Sequence, residues 1–196
     1  MNQFRKPKGQ WRPRQVLLFS GHMIDAPDRN QPRFPPDKEV VAAQKIAETL
    51  DKLEAGPEDL AMTQGACGGD ILFAEACLQR GVGLILLQPF DEPLFIEKSV
   101  LPCGESWRNR YYKIKPHARI ESAPAVQGAP PEDVNPYERC NRWLLDSAMA
   151  YSTEKVHFIC LWNGEGGDAP GGTAHMFREV NEKTGQVYWL NTRELW

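Results

Sequence analysis

Short apolar runs bounded by glycine or proline alternate along the chain with segments of helical period. The three strongest runs are VLLFS, LILLQ and VHFICLW, beginning at Val16, Leu84 and Val156, and they are typical of buried parallel strands. Weaker runs predict three more strands, at residues 59–63, 119–123 and 187–191.

Helices are predicted between these strands. In the segment 38–54, Ile46, Leu50 and Leu53 repeat at helical spacing, and Gly56 ends the run. Further helices are predicted over 70–80, after Asn135 and over 172–183. This alternation predicts an α/β fold with a doubly wound, mostly parallel sheet in a single domain. We expect a basic N-terminal arm at residues 1–15 and the sheet domain at residues 16–196.

Two stretches lack a clear period. The segment 91–112 is rich in aromatic residues and predicts short helices lying over the sheet, whereas 127–136 is rich in proline and predicts a surface loop.

Composition and charge narrow the classes of partner. The chain has 196 residues, of which 41% are hydrophobic, so a sizeable core is feasible. The net charge of -3 provides no general attraction to nucleic acid or acidic membranes, and we expect neither as a partner. No apolar run is long enough to span a membrane or to serve as a secretion signal. The basic arm is either a solvated terminus or a surface for a protein partner. Its basic residues are Arg5, Lys6, Lys8, Arg12 and Arg14.

Several kinds of chemistry lack their motifs. The five cysteines are scattered without a CxxC pair, which favours reduced thiols and a cytoplasmic location. The four histidines show no metal-binding spacing, so we expect no metal site. The P-loop, the GxSxG elbow and the GxGxxG fingerprint with its acidic partner are also absent. The sequence therefore predicts no required cofactor.

Four segments of unusual composition follow predicted strands, at the edge where open parallel sheets bind ligands. The first is SGHMIDAPDRNQPRF. Its glycine permits a sharp turn, and its polar residues could contact a sugar or a phosphate, or form a solvated loop with surface ion pairs. The candidate residues are Ser20, Gly21, His22, Asp25, Arg29 and Arg33.

The second segment, TQGACGGDILFAEA, begins at Thr63 and joins a strand to a helix. Gly65, Gly68 and Gly69 could turn main-chain amides towards a phosphate at the helix N-terminus, or could mark an ordinary tight turn. Asp70 is either the helix cap or an acceptor for a ribose hydroxyl. Glu75, in the apolar part of the helix, faces either solvent or the crevice.

The third segment follows LILLQ. Pro89 ends the strand, and Phe90 either stacks on a base or packs in the core. Trp107, Arg110 and Tyr111 lie further along and either cover a bound nucleotide or form a packed helix.

The fourth segment, WNGEGGDAPGGTAH, follows the strongest strand and contains Gly171, Gly172 and Thr173 just before a helix. These residues form a second candidate phosphate turn, or a loop in which Thr173 is only a cap. Two glycine-rich turns in one small sheet suit a ligand with two polar ends, such as a nucleotide.

These four segments, in this order and spacing, resemble a SLOG-type Rossmann domain over residues 16–191. The resemblance is to the version found in bacterial proteins and in domains fused to nucleotide cyclases and TPR-containing signalling proteins. SGH followed by GGDILFAEA is more distantly similar to the YpsA and DprA branches, and PGGTA to the LOG phosphoribohydrolases. The resemblance implies a doubly wound sheet that binds nucleotides or nucleotide-derived signals.

The LOG enzymes place a catalytic glutamate shortly after the second glycine pair. Here the helix reads TAHMFREV, in which Glu179 comes later than that motif expects. If this chain cleaves an N-glycosidic bond, Glu75 or Asp70 is the candidate carboxylate, acting on water or on an oxocarbenium-like centre.

The leading hypothesis is a domain that binds a nucleotide or a nucleotide-derived small molecule. One alternative is a nucleoside or nucleotide N-glycosidase of the phosphoribohydrolase kind, and another is a protein-interaction module. A sheet edge could also support a homo-oligomer.

Overall fold

The computed structural model describes residues 12–27, 29–165, 173–184 and 186–196. Within these ranges six strands form one parallel sheet in the order β4-β3-β2-β1-β5-β6. Helices cover both faces, so the prediction of a doubly wound parallel sheet is confirmed. The strands are β1 Val16–Gly21, β2 Leu60–Thr63, β3 Gly83–Gln88, β4 Ala118–Ser122, β5 Val156–Trp162 and β6 Val187–Asn191.

The described α-helices divide between the two faces of the sheet. The first, second and fourth pack on one face, and the sixth and seventh on the other. They are α1 Glu39–Lys52, α2 Gly69–Gln79, α3 Glu92–Phe95, α4 Glu105–Ile114, α5 Ala123–Gln127, α6 Pro136–Met149, α7 Thr173–Lys183 and α8 Thr192–Leu195.

The central strands are apolar on both faces because helices cover both faces. In β1, Leu17 and Phe19 belong to the core under α1 and α2, whereas Val16 and Leu18 belong to the core under α6 and α7. Helix α2 has no polar face, and its residues 69–74 are all buried. It packs between the sheet and the helices α1 and α4, so its sequence shows no amphipathic period.

The elements lie where the pattern predicts them, within a few residues at each end. Two strands, β5 and β6, have the predicted bounds, and α1 is shorter than predicted because a 3-10 turn at Pro36–Lys38 precedes it. The aromatic segment 91–112 forms the expected short helices, including a π turn at Ile96–Val100. Residues 128–135 contain neither helix nor strand, as expected for a loop.

Arg14 belongs to the folded body, although the sequence suggests that it is part of the arm. Its guanidinium donates to both carboxylate oxygens of Asp59, at 2.9 and 2.8 Å. Gln15 and the amide of Gly56 also donate to Asp59, whose side chain is fully buried. Residues 1–11, with Arg5, Lys6 and Lys8, lie outside the described residues, so the division at residue 15 stays a prediction.

Two cysteines differ from the expectation of reduced thiols. Cys67 and Cys103 form a disulfide with their Cα atoms 6.2 Å apart, and it joins the turn before α2 to the segment before α4. Cys77, Cys140 and Cys160 are free and buried. The cytoplasmic location stays a prediction. In the described part of the chain, no helix combines the length and the apolar character that crossing a membrane requires.

Replacing Asp59 with asparagine should destabilise the protein by about 2 kcal/mol, because a buried amide cannot accept the four hydrogen bonds that the carboxylate accepts. Burial opposes ionisation of Asp59, but the hydrogen bonds from Arg14, Gln15 and Gly56 outweigh it and hold the pKa below the ordinary 3.8. The stabilisation is therefore present above that pH and is lost as the pH falls through the lowered pKa. Urea denaturation at neutral and acidic pH measures both effects.

The matched control is Asp51→Asn at the end of α1. Asp51 also pairs with an arginine, Arg80, but the Asp51 side chain is 68% exposed. The free energy of unfolding of this variant should therefore change by at most about 1 kcal/mol. Equal losses for the two variants would contradict the role given to Asp59.

Candidate functional site

The crevice between β1 and β5 is the point at which the sheet changes its winding direction. The chain leaves β1 towards α1 on one face and leaves β5 towards α7 on the other. Connections that part in this way leave a gap at the carboxyl ends of the two strands, where open α/β sheets bind their ligands.

Polar side chains from both strands meet across this crevice. The hydroxyl oxygens of Ser20 and Thr173 are 3.0 Å apart, which places the start of α7 beside the end of β1. The amide of Asn163, just after β5, donates to Nε2 of His22 at 3.1 Å. Nε2 of His22 also lies 3.3 Å from the side-chain Oδ1 of Asn163, so both the main chain and the side chain of Asn163 hold the imidazole.

His22 stays neutral at physiological pH. Burial, and after it the nearby charge of Arg33, lower the pKa of His22 from 6.5 to about 4. The hydrogen bond to the side-chain oxygen of Asn163 and the charge of Asp25 act in the opposite direction but are weaker. The imidazole thus provides hydrogen bonds at this edge and no positive charge.

Asp25 closes the loop that follows β1. Its Oδ2 accepts hydrogen bonds from the amides of Arg33 and Phe34, both at 2.7 Å, and its own amide donates to the carbonyl of Phe34. Nε of Arg29 lies 3.3 Å from Oδ1 of Asp25. Asp25 is buried, so it positions the loop and the two arginines and does not face the solvent.

A cleft of about 500 Å³ lies at the carboxyl edge, beyond the ends of β5 and β6. Among the described residues that line it, three are arginines and one is acidic, and Arg193 forms an ion pair with that acid, Glu165. The loop held by Asp25 supplies one wall. The lining residues are Arg29, Asn30, Gln31, Pro32, Arg33, Asn163, Glu165, Thr192, Arg193 and Trp196.

Of the ten described residues that line this cleft, only Arg29 and Arg33 are candidates from the sequence. Asn163 was inside a candidate segment but was not selected, and Thr192, Arg193 and Trp196 follow the weaker strand candidate β6. Their place in the sequence could have identified them, because they follow predicted parallel strands. The carboxyl ends of all parallel strands lie at the same edge of the sheet.

The glycine-rich turn before α2 differs from the predicted phosphate turn. The amides of Gly65 and Ala66 donate to Oδ2 of Asp70 at 3.1 and 3.2 Å. The amide of Cys67 donates to the carbonyl of Ser99, and that of Gly69 to the carbonyl of His22. These four amides already have acceptors within the protein, so we place no phosphate on them.

Gly68 permits a close approach between two main-chain segments. Its φ is +89°, a region that favours glycine, and an added Cβ would lie 2.7 Å from the nitrogen of Ile24 and 2.8 Å from the carbonyl oxygen of His22. Gly21 and Gly69 similarly leave room for the ring of Phe19. Packing therefore accounts for Gly21, Gly68 and Gly69, three of the glycines that suggested a ligand.

Asp70 and Glu75 both interact with other residues of the protein. Asp70 is buried under the turn, and burial raises its pKa to about 6 against the hydrogen bonds from the amides of Ala66 and Gly65. Glu75 receives two hydrogen bonds from the guanidinium of Arg110, at 2.8 and 2.5 Å. Neither carboxylate lines the cleft.

The aromatic residues proposed as a cover pack inside the protein. Trp107 is buried with the guanidinium of Arg110 4.2 Å above its ring, and Arg110 also reaches Glu39 on α1. The hydroxyl of Tyr111 accepts from Gln88 at 2.8 Å and donates to Glu92 at 3.1 Å. This group joins α1, α2, α4 and the end of β3.

The two residues proposed after β3 also pack against the protein. Pro89 is buried, and the ring of Phe90 contacts that of Tyr137 edge to face, with centroids 5.3 Å apart. Gly171 and Gly172 lie outside the described residues.

Comparisons with known proteins are sparse. No family model and no curated protein matches the chain. A similar solved structure is the single-stranded-DNA-binding DNA processing protein A from Helicobacter pylori, which is 16% identical and has a TM-score of 0.40. The match covers 93% of this chain and 78% of that one. It concerns the Rossmann-like fold alone and carries no argument about the ligand of this chain.

The expectation that nucleic acid is not a partner is wrong, because the net charge of the chain does not exclude such a partner. It was based on the net charge of -3, which does not say how charge is distributed over the surface. Net charge describes the whole surface, whereas the arginines of the cleft are concentrated at one edge of the sheet.

Replacing Gly68 with alanine should destabilise the protein by roughly 3 kcal/mol, because the added Cβ meets main-chain atoms that cannot rotate away. Gly104→Ala is the control: Gly104 also has a positive φ, of +105°, but nothing lies within 4 Å of its added Cβ. That variant should be destabilised by about 1 kcal/mol, because it loses only the ease with which glycine adopts a positive φ. Urea denaturation of both variants measures the difference, and equal losses would argue against the close contact.

The pKa of Asp70 makes stability depend on pH. Because it is raised from 3.8 to about 6, the folded state favours the protonated form, and stability falls as the pH rises through this interval, by roughly 3 kcal/mol. Asp70→Asn removes this titration, so its free energy of unfolding should rise relative to that of the unmodified protein over the same interval. Denaturation curves across the interval, with Asp51→Asn as the control for lost charge, measure the trend. Parallel pH profiles would contradict the assignment.

Proposed function

We propose that this chain is a SLOG-type Rossmann domain that binds a nucleotide or a nucleotide-derived small molecule in the arginine-lined cleft beside the β1–β5 crevice. The observation that carries the proposal is the presence of three arginines around one cleft at the carboxyl edge, with two of them on a loop closed by Asp25. A volume of about 500 Å³ suits a ligand of nucleotide size.

The charges of the cleft favour an anionic group. A guanidinium binds a phosphate or a carboxylate through two parallel hydrogen bonds, and Arg29, Arg33 and Arg193 approach the cleft from two sides. Glu165 is the one acidic residue in the described lining, and it already pairs with Arg193. A phosphate can pair with Arg193 in place of this half-exposed carboxylate.

The remaining lining residues suit the neutral part of a nucleotide. Asn163 and Thr192 offer donors and acceptors to a sugar or a base edge. Trp196, whose ring stacks on that of Phe34 with centroids 5.4 Å apart, offers an aromatic surface against which a base can pack. His22 supports this side through Asn163 while remaining neutral.

Cleavage of an N-glycosidic bond is not part of the proposal. Asp70 lies under the turn before α2, and Glu75 is held by Arg110. Neither lies in the cleft in which the ligand would bind.

Titration calorimetry with ADP-ribose, NAD, cyclic nucleotides and nucleoside monophosphates tests the proposal. A short single-stranded DNA oligonucleotide forms a further arm, because the cleft chemistry does not distinguish a free nucleotide from one at the end of a strand. We expect at least one of these ligands to bind, and Arg33→Ala and Arg193→Ala each to weaken its binding about tenfold or more, through loss of a charge-assisted hydrogen bond.

The control is Arg142→Ala, which removes an arginine from α6. The Arg142 side chain is 66% exposed and does not line the cleft, so binding should not change. If no ligand binds, or if all three variants bind equally well, the cleft is not the binding site.

A further inference from the structure

Strand β4 forms one edge of the sheet and has an open side. Its inner side pairs with β3 over the whole strand. Among the described residues, none outside this pairing donates a hydrogen bond to, or accepts one from, the main chain of residues 119–121. Such an edge presents unused donors and acceptors to another strand.

The two charged residues of β4 lie on the same face of the sheet. Arg119 pairs in register with Ile85 and Glu121 with Leu87, and all four line the groove beside α6. Ile120, between them, contacts the core on the opposite face. Arg119 and Glu121 form an ion pair within the strand, and the Arg119 side chain is 54% exposed.

This pattern of charges is self-complementary when two copies of β4 run antiparallel. If the strands are centred on Ile120, Arg119 of each copy lies opposite Glu121 of the other, on the same face. Opposite charges at directly facing positions stabilise an antiparallel pair.

We propose that two copies of this chain associate through their β4 strands, antiparallel and centred on Ile120, so that the sheet continues across a two-fold axis. The same surface is used by both copies, which closes the assembly at a dimer. The two edge strands satisfy each other's main chains, and the two ion pairs within the strands are replaced by two ion pairs across the interface.

The groove beside β4 supports the same occupant. It has a volume of about 270 Å³, its floor is formed by Met62, Ile85 and Leu87, and Arg119 and Glu121 form its outer side. A two-fold axis perpendicular to the sheet brings the grooves of the two copies together on one face. The second copy's strand then covers the open side of each groove.

The dimer and the proposed ligand site are independent. Strand β4 lies at the opposite edge of the sheet from β6, which contributes to the arginine-lined cleft. Association through β4 leaves that cleft open, so failure of either proposal leaves the other intact.

Charge reversal of the full chain tests the dimer by sedimentation velocity over a concentration series. The unmodified protein should reach twice the chain mass. Arg119→Glu and Glu121→Arg each place like charges opposite one another, so each variant alone should weaken association about tenfold or more. An equimolar mixture of the two should restore it, because each charge then faces its opposite. The double variant Arg119→Glu/Glu121→Arg should also dimerise.

Arg142→Glu, on α6, is the control and should associate like the unmodified protein. Circular dichroism and thermal unfolding establish that each variant is folded, and recovery of the dimer in the mixture shows that neither is impaired by misfolding. A monomer at every soluble concentration, unchanged association of the single variants, or no recovery in the mixture would each overturn the proposal.

Discussion

The turn before α2 lies directly against the main chain that leaves β1, and this contact determines how the carboxyl edge is arranged. Gly68 has no side chain to keep the segments 22–24 and 67–69 apart, and the amide of Gly69 donates to the carbonyl of His22 at 3.0 Å. With its carbonyl held on the α2 side, His22 directs its ring towards Asn163 after β5. The loop that follows is closed by Asp25, and its arginines reach the β5–β6 side. The cleft lies on that side because the α2 side is filled.

Most of the fold could be predicted from the sequence because its apolar runs are short, rich in branched side chains, and separated by glycine or proline. Such runs fit strands buried on both faces, and β5 and β6 have the predicted bounds. The order of the strands could not be derived in this way. The spacing of apolar residues identifies a helix or a strand, but it does not identify which strand lies beside it in the sheet. The disulfide was missed for a similar reason: Cys67 and Cys103 are 36 residues apart and meet only through the packing of α2 and α4.

The site was predicted less well, because residue type does not distinguish a ligand contact from an internal one. Glycine serves the close packing at Gly68 and could equally have faced a phosphate. Asp25, Asp70 and Arg110 have the chemistry of ligand contacts, yet their partners are amides and carboxylates of the protein itself. Arg193 follows β6, at the far end of the sequence from Arg29 and Arg33, and the sheet order brings the three together.

The closure of the β1 loop by Asp25 has a thermodynamic consequence. A single carboxylate oxygen accepts hydrogen bonds from two successive amides, so the main chain that carries Arg33 is already held in place in the protein without ligand. The proposed binding of an anion would then restrict only the arginine side chains, and the backbone would lose little freedom. The proposed binding would therefore be of the lock-and-key kind, because the protein without ligand already determines the shape of this wall.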